Sequence, residues 1–143
     1  MKPIPAWALF ALGSAFFAGL TALFGKLGVA GVNSNFATFI RTIVILVVTA
    51  WIVSVRNEWQ RPGSVAPYTW FFLVLSGIAT GLSWLCYYRA LQLGPVTKVA
   101  PIDKLSVAFA IVLGLLFAGE TLTWSIALGG SLIVAGSVVI IMF

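Results

Sequence analysis

The residues of this sequence that could do chemistry are few, and they lie inside long apolar stretches. Asp103 and Lys104 closely follow Pro101, and Arg41 stands within an earlier apolar run. A charged side chain near the centre of a membrane helix costs about 2.5–3.5 kcal/mol on insertion scales, so such residues are usually functional. Asp103 is the only embedded carboxylate that could carry a proton. The pattern predicts either a structural ion pair or a polar site that lines a water-filled cavity.

Arg41 and Asp103 are matched in depth. Arg41 lies about six residues inside its apolar stretch and Asp103 about seven inside its own, which is ~9 Å and ~10 Å at 1.5 Å per residue. Asp103 and Lys104 are neighbours, so on a regular helix their side chains point about 100° apart and do not face each other. We therefore expect Asp103 to find its partner on another helix, where Arg41 is the best-matched base. Lys26 lies near the end of a stretch, from which a lysine can extend to the lipid headgroups.

Pro101 and an aromatic pair are the other candidate site features. Pro101 cannot donate to the carbonyl of Thr97, so one backbone acceptor is freed within the stretch. Such interruptions occur at binding sites in membrane proteins, and a kink that serves only packing is the alternative. Trp84 and Tyr88 are four residues apart, so they share one face of a helix. This pair predicts either an interfacial aromatic belt or a ligand cage.

The composition indicates an integral membrane protein. Hydrophobic residues make up 62% of the 143 positions and charged residues 8%, whereas soluble domains are about 25% charged. The chain has no His and one Cys, Cys86, so we expect no disulfide framework, no Cys/His metal site and no cofactor. The net charge is +5, but the basic residues are scattered, which argues against nucleic-acid binding. No motif such as H-E-x-x-H is present, so we expect no enzymatic activity.

Five stretches are long enough to cross a membrane, which requires about 20 apolar residues. They run over about 6–28, 36–55, 68–91, 96–118 and 122–143. The runs are continuous, which favours helices over the alternating segments of a β-barrel. Gly94-Pro95 divides the third from the fourth, because Gly ends a helix and Pro suits the first turn of the next. The first stretch is too long for a signal peptide, so we expect one all-α membrane domain over residues 1–143.

Two patterns bear on assembly. Small residues recur on the fifth span at Ala127, Ser131 and Ala135, a spacing that lets helices approach closely and predicts a packing role. The flanking basic residues are Lys2, Arg56 and Arg61 on the N-terminal side and Lys26, Arg89 and Lys98 on the other. Orientation follows the difference in Lys and Arg between the two sides, and for these flanking residues the difference is zero, although the deeper Arg41 and Lys104 would give the second side five against three. One orientation set by another feature is therefore one hypothesis. Insertion in both directions is the other, and with an odd number of spans opposite copies could then pair antiparallel.

The whole chain resembles the EamA-type units of the drug/metabolite transporter superfamily. The resemblance is carried by Tyr88-Arg89-Ala90-Leu91, Gly94-Pro95, Val99-Ala100-Pro101-Ile102 and Gly119-Glu120. It implies one half of a ten-helix inverted-repeat transporter fold, since most members are similar to two such units in tandem. It also implies a central cavity lined by the first, third and fourth helices. The run over residues 101–106 looks like that of short, single-unit members.

The leading hypothesis is a secondary transporter in the cell (inner) membrane that exports or exchanges small organic metabolites. Five helices hardly enclose a gated pathway, so we expect a homodimer with a central cavity. The candidate cavity residues are Asp103, Lys104, Arg41, Trp84, Tyr88 and Lys26. The basic residues among them hint at an anionic group on the substrate. The alternative is an accessory or scaffold subunit, or a component of a flippase for lipid-linked groups, that pairs with another chain.

Overall fold

The computed structural model describes residues 5–143, and the regular elements in that range are helices. They are α1 (Ala6–Gly28), α2 (Ser34–Val55), α3 (Pro67–Leu93), α4 (Val96–Asp103), α5 (Ser106–Phe117) and α6 (Trp124–Met142), with one 3-10 turn at Pro62–Ser64. Helices α4 and α5 are the two parts of one apolar stretch, so the described chain has five helical stretches that are long and apolar enough to cross a membrane. The predicted all-α architecture with five spans is confirmed. Lys2, one of the flanking charges counted above, lies outside the described residues.

Large apolar side chains cover the outer surface of these helices. Phe10 on α1 and Phe117 on α5, for example, are more than four-fifths exposed, at 81% and 82%. In water, a protein with such an exposed apolar surface would aggregate. In a bilayer the surface is stable, because lipid tails are as apolar as the side chains they surround. The surface therefore fits a chain that lies in a bilayer.

Local capping sets the boundaries of the helices. The side chain of Asn33 accepts hydrogen bonds from the backbone N–H groups of Asn35 at 2.9 Å and Phe36 at 3.3 Å. These first-turn donors have no partner within the helix, so an Asn at this position favours the start of α2 at Ser34, two residues before the expected boundary. Helices α3 and α4 lie on either side of Gly94-Pro95, the predicted break.

The fourth span is interrupted, a feature that its continuous apolar pattern does not reveal. Helix α4 ends at Asp103. The N–H of Lys104 then donates to the carbonyl of Pro101, and that of Leu105 to the carbonyl of Ile102, each at 3.0 Å. These bonds span three residues rather than the four of an α-helix. Pro101 contributes because its ring and missing N–H weaken the helical ladder, and a short 3-10 segment inside a helix often marks strain or a hinge.

The turn between α5 and α6 depends on a glycine. Gly119 has φ +66°, in the left-handed region where a side chain is disfavoured. The carbonyl of Gly114 accepts from the N–H of Ala118 at 3.0 Å and from that of Glu120 at 3.2 Å. These bonds satisfy the end of α5 and turn the chain at the Gly119-Glu120 step.

The chain divides into two compact units. The first takes in the described chain up to Gly25 together with Leu93–Phe143, and the second is Lys26–Gln92. In the first unit, α6 packs against both α4 and α5. The second unit contains α2, most of α3 and the C-terminal end of α1, with Val29 and Leu91 fully buried.

Candidate functional site

Arg41 of α2 lies on the aromatic face of α3 within the second unit. Its guanidinium carbon is 3.2 Å from the centroid of the Trp84 ring and 6.0 Å from that of Tyr88. Trp84 and Tyr88 share a face of α3 because they are four residues apart, and their ring centroids are 5.8 Å apart. Tyr87 adds an edge-to-face contact with Trp84 at 5.3 Å. The structure thus brings together three of the predicted candidates: Arg41, Trp84 and Tyr88.

The charge of Arg41 has no carboxylate partner in its own unit. The one acidic residue of Lys26–Gln92 is Glu58, which forms an ion pair with Arg56 at 2.8 Å in the loop after α2. A cation–π contact contributes roughly 0.5–2 kcal/mol, with the upper end reached where water is excluded. Placing an arginine near the centre of a membrane span costs about 2.5–3.5 kcal/mol. The aromatic rings therefore offset part of that cost, and the guanidinium keeps its capacity to bind an anion.

A polar clasp, formed by Lys26, Arg89 and Gln92, ties the end of α3 to the end of α1 and the turn after it. The Gln92 amide donates to the carbonyl of Val32 at 2.5 Å and to that of Val29 at 3.2 Å, and its oxygen accepts from Arg89 Nη1 at 3.1 Å. Gln92 is not among the site residues that the sequence predicts. The available signal was an amide in the last turn of an apolar helix, close to another helix end whose carbonyls need donors.

Lys26 contributes the second link of the polar clasp. Its ammonium donates to the backbone carbonyl of Leu91 at 2.5 Å. The last carbonyls of a helix have no intrahelical donor, and a cation there also interacts favourably with the helix dipole. The structure thus places Lys26 at the end of α3, and its role in a cavity stays a prediction.

Asp103 and Lys104 lie at the interruption of the fourth span, in the first unit. The Lys104 ammonium is 3.6 Å from Asp103 Oδ2, and both side chains are partly exposed. The expectation that they do not face each other is wrong, because α4 ends at Asp103 and the 100° spacing of a regular helix no longer holds there. Arg41 belongs to the other unit, so its pairing with Asp103 stays a prediction.

Pro101 is tied to α6 by a buried serine. Ser137 Oγ lies 3.0 Å from the carbonyl oxygen of Pro101 and 2.9 Å from that of Ile133. Ser137 is 4% exposed, so its hydroxyl gives this part of α4 a donor that water does not replace. Ser137 is not predictable from the sequence, because one serine in an apolar helix carries no signal of which neighbour it faces.

An open apolar pocket of about 180 Å³ lies along α5 and α6. Ala127 and Ser131 line it together with Gly130, whereas Ala135 is exposed and lies outside the lining. A Cβ added at Gly130 would lie 2.9 Å from Cδ1 of Ile111, so the two helices approach closely there. The residues of α6 that line the pocket recur every three or four positions, which places them on one face of the helix.

The described chain therefore offers two kinds of chemistry. The group of Arg41, Trp84 and Tyr88 can bind an anion that carries an apolar body. The Asp103 carboxylate places an acidic group beside the Lys104 ammonium at the break in the fourth span. Within residues 5–143, no cluster of three or more His, Cys, Asp or Glu side chains could hold a metal ion.

Comparison with known proteins identifies the family. The model of the EamA-like transporter family matches residues 5–142. A protein of Sinorhizobium sp., named "Uncharacterized transporter in cobO 3'region", is 52% identical over 137 residues, which cover 96% of this chain and 97% of that protein. No solved structure matches significantly. The resemblance found in the sequence is confirmed: this chain belongs to the EamA-like transporter family and is a multi-pass membrane transporter.

Proposed function

We propose that this protein is a secondary transporter that exports or exchanges small organic metabolites across the cell (inner) membrane as a homodimer. The family and the name of the Sinorhizobium relative support transport. The observation that carries the proposal is Arg41, which stacks on Trp84 inside an apolar span with no carboxylate partner in its unit. A cation inside a span lowers the stability of a helix that only anchors a protein, whereas in a substrate pathway it can bind the substrate.

The candidate residues take three roles in this proposal. Arg41, Trp84 and Tyr88 bind the substrate. Lys26 holds the end of α3 through the Leu91 carbonyl, a few residues after Trp84 and Tyr88. Asp103, with Lys104 beside it, carries the proton that couples transport, because it is the only carboxylate embedded in a span. Its position at the break between α4 and α5 supports this role, since transporters place ion and substrate sites at discontinuous helices.

The number of spans supports a homodimer. Alternating access usually depends on two inverted repeats, and the described part of this chain contains five helices that could span a membrane. A second copy inserted in the opposite direction would supply the other repeat. The even distribution of flanking Lys and Arg supports such dual insertion.

Dual insertion is tested by labelling single-Cys variants of the loop at residues 56–66 on a Cys86→Ala background. A membrane-impermeant reagent applied to intact cells should label about half of the copies. Labelling of all copies or of none would show one fixed orientation and would exclude the antiparallel dimer.

Transport is tested with purified protein in liposomes loaded with a metabolite extract of the host cell. Mass spectrometry should detect release of at least one solute that liposomes without protein retain. Arg41→Gln should slow that release at least about tenfold, since a charge-assisted hydrogen bond contributes about 1.5–3 kcal/mol. Arg56→Lys is the control, because Arg56 is exposed in a loop beside Glu58 and lysine keeps the flanking charge on which dual insertion depends.

Failure of this experiment favours the other hypothesis. If liposomes with the purified chain alone release no solute, and release begins only when a second membrane chain is co-purified with it, the protein is an accessory or scaffold subunit, or a flippase component.

A further inference from the structure

We propose that the site formed by Arg41, Trp84 and Tyr88 binds the carboxylate of an organic anion, with the apolar body of that anion against the Trp84 ring. The inference names the substrate class of the proposed transporter and therefore rests on the proposed function. It depends on three properties of the site: the orientation of the guanidinium, the free donors on its edge and its depth in the span.

The distance between Arg41 and Trp84 determines how the guanidinium lies. Its carbon is 3.2 Å from the ring centroid, a distance shorter than the usual carbon–carbon contact of about 3.5–4.0 Å. A guanidinium standing on edge would bring one nitrogen, at a C–N bond length of about 1.33 Å, to roughly 1.9 Å from the ring plane, which sterics forbid. The two planes are therefore close to parallel, and the N–H bonds point outward beyond the ring.

The donors of that guanidinium are left available by the stacking. A guanidinium has five N–H donors in a fixed fork, and stacking on a ring uses its face rather than its edge. Within Lys26–Gln92, the structure shows no hydrogen bond from Arg41 and no carboxylate beside it. A planar anion with two oxygens fits this edge, since carboxylates form paired N–H···O bonds with arginine.

The position of Arg41 favours an organic solute over a lipid headgroup. Arg41 lies about seven residues into α2, which is roughly 10 Å along the helix axis. A headgroup phosphate lies at the membrane surface, so it is poorly placed to reach this depth. A single guanidinium also matches the single charge of a carboxylate better than the charge of a free phosphate. The half-buried ring of Trp84 then offers an apolar surface to the rest of the ligand, and the buried ring of Tyr88 packs beside it, with 5.8 Å between the ring centroids.

The test uses benzoate as a probe and benzamide as its neutral isostere. The purified protein is placed in phosphatidylcholine nanodiscs, and thermal unfolding is followed as each compound is titrated. A ligand that binds the folded state raises the melting temperature with its concentration. We expect benzoate to raise it and benzamide to leave it unchanged.

Three variants connect the effect to Arg41. Arg41→Gln should weaken benzoate binding at least about tenfold. Arg41→Lys should weaken it less, because an ammonium keeps the charge but not the fork; this variant also serves if Arg41→Gln does not fold. Arg56→Lys should bind benzoate as the parent does, since Arg56 lies in the loop beside Glu58 and lysine keeps its flanking charge.

Equal effects of benzoate and benzamide, or equal effects of Arg41→Gln and Arg56→Lys, would overturn the inference. A second result would also overturn it. If phosphatidylglycerol nanodiscs raise the melting temperature in an Arg41-dependent way, and benzoate does not raise it further, the site holds a lipid headgroup.

The liposome experiment separates this inference from the proposed function. Release of solutes that carry no carboxylate, unaffected by benzoate, keeps the transporter and removes the carboxylate site. Arg41-dependent benzoate binding without release of any solute keeps the site and removes transport.

Discussion

Gln92 links the end of α3 to two backbone carbonyls and to Arg89, and we expect Gln92→Met to lower the stability of the protein. Methionine keeps the unbranched chain and removes both donor and acceptor. The change deletes the bonds to the carbonyls of Val29 and Val32, at 3.2 and 2.5 Å, and the bond from Arg89. A neutral hydrogen bond contributes roughly 0.5–1.5 kcal/mol net, so loss of the two bonds to the backbone predicts ~1–3 kcal/mol.

Because Val29 is buried, we expect Gln92→Met to lower the free energy of unfolding by more than the lower end of this range. Val29 is 1% exposed, so water cannot take over from the amide at its carbonyl, and an unsatisfied buried acceptor costs about 1–3 kcal/mol. A long backbone bond from the N–H of Val32 to the same carbonyl, at 3.4 Å, would remain and relieve part of that cost.

The free energy of unfolding is measured in mixed micelles by titration with SDS, followed by far-UV circular dichroism. Gln60→Met is the matched control, because Gln60 is an exposed glutamine in the loop after α2 and surface changes are usually within about 0.5 kcal/mol. Equal losses in Gln92→Met and Gln60→Met would refute the reasoning. Gln92→Glu keeps the acceptor for Arg89 but loses the donors, so it should be about as unstable as Gln92→Met. Full stability of Gln92→Glu would show that the bonds to the backbone contribute nothing.

Three other changes probe the first unit and its predicted link to Arg41. Gly119→Ala should destabilise the turn after α5 by about 1 kcal/mol, because φ +66° disfavours a side chain, and Gly119→Asn should cost less in the same SDS titration. Ser137→Ala should cost about 1 kcal/mol by removing the donor to the Pro101 carbonyl, and a value near zero would mean that this bond does not hold α4. Asp103→Asn should lower solute flux while the protein stays folded if the carboxylate carries a proton. If Asp103 is instead half of an ion pair with Arg41, the variant should lose stability, and a double-mutant cycle with Arg41→Gln should show coupling.

The sequence predicted the number of spans and most of their boundaries because these depend on local properties. The length of an apolar run decides whether it can cross a bilayer. Gly94-Pro95 and Gly119 end helices through backbone geometry that their neighbours cannot change. Pro101 predicted a break in the backbone hydrogen bonds of the fourth span but not its place, because Lys104 and Leu105 suit a helix and only their hydrogen bonds to Pro101 and Ile102 reveal the short turn after Asp103.

The predictions about charged groups show where local reasoning ends. Depth along the helix axis, at about 1.5 Å per residue, is readable from the sequence, and it identified Arg41 and Asp103 as embedded. The ion pair between Asp103 and Lys104 was not expected, because the 100° spacing assumed an unbroken helix. Local geometry at one helix end was enough to change which charges meet.

The sequence by itself determined that this chain is a five-span membrane protein of the EamA-like transporter family, because apolar length, turn residues and family motifs are properties of consecutive residues. Only the tertiary structure decided that Arg41 lies on Trp84 and that Lys26 and Gln92 bind the backbone at helix ends. These contacts depend on the rotation of each helix about its own axis and on which neighbour it faces. A nearly uniform apolar surface leaves that rotation undetermined, and the packing of side chains between helices sets it.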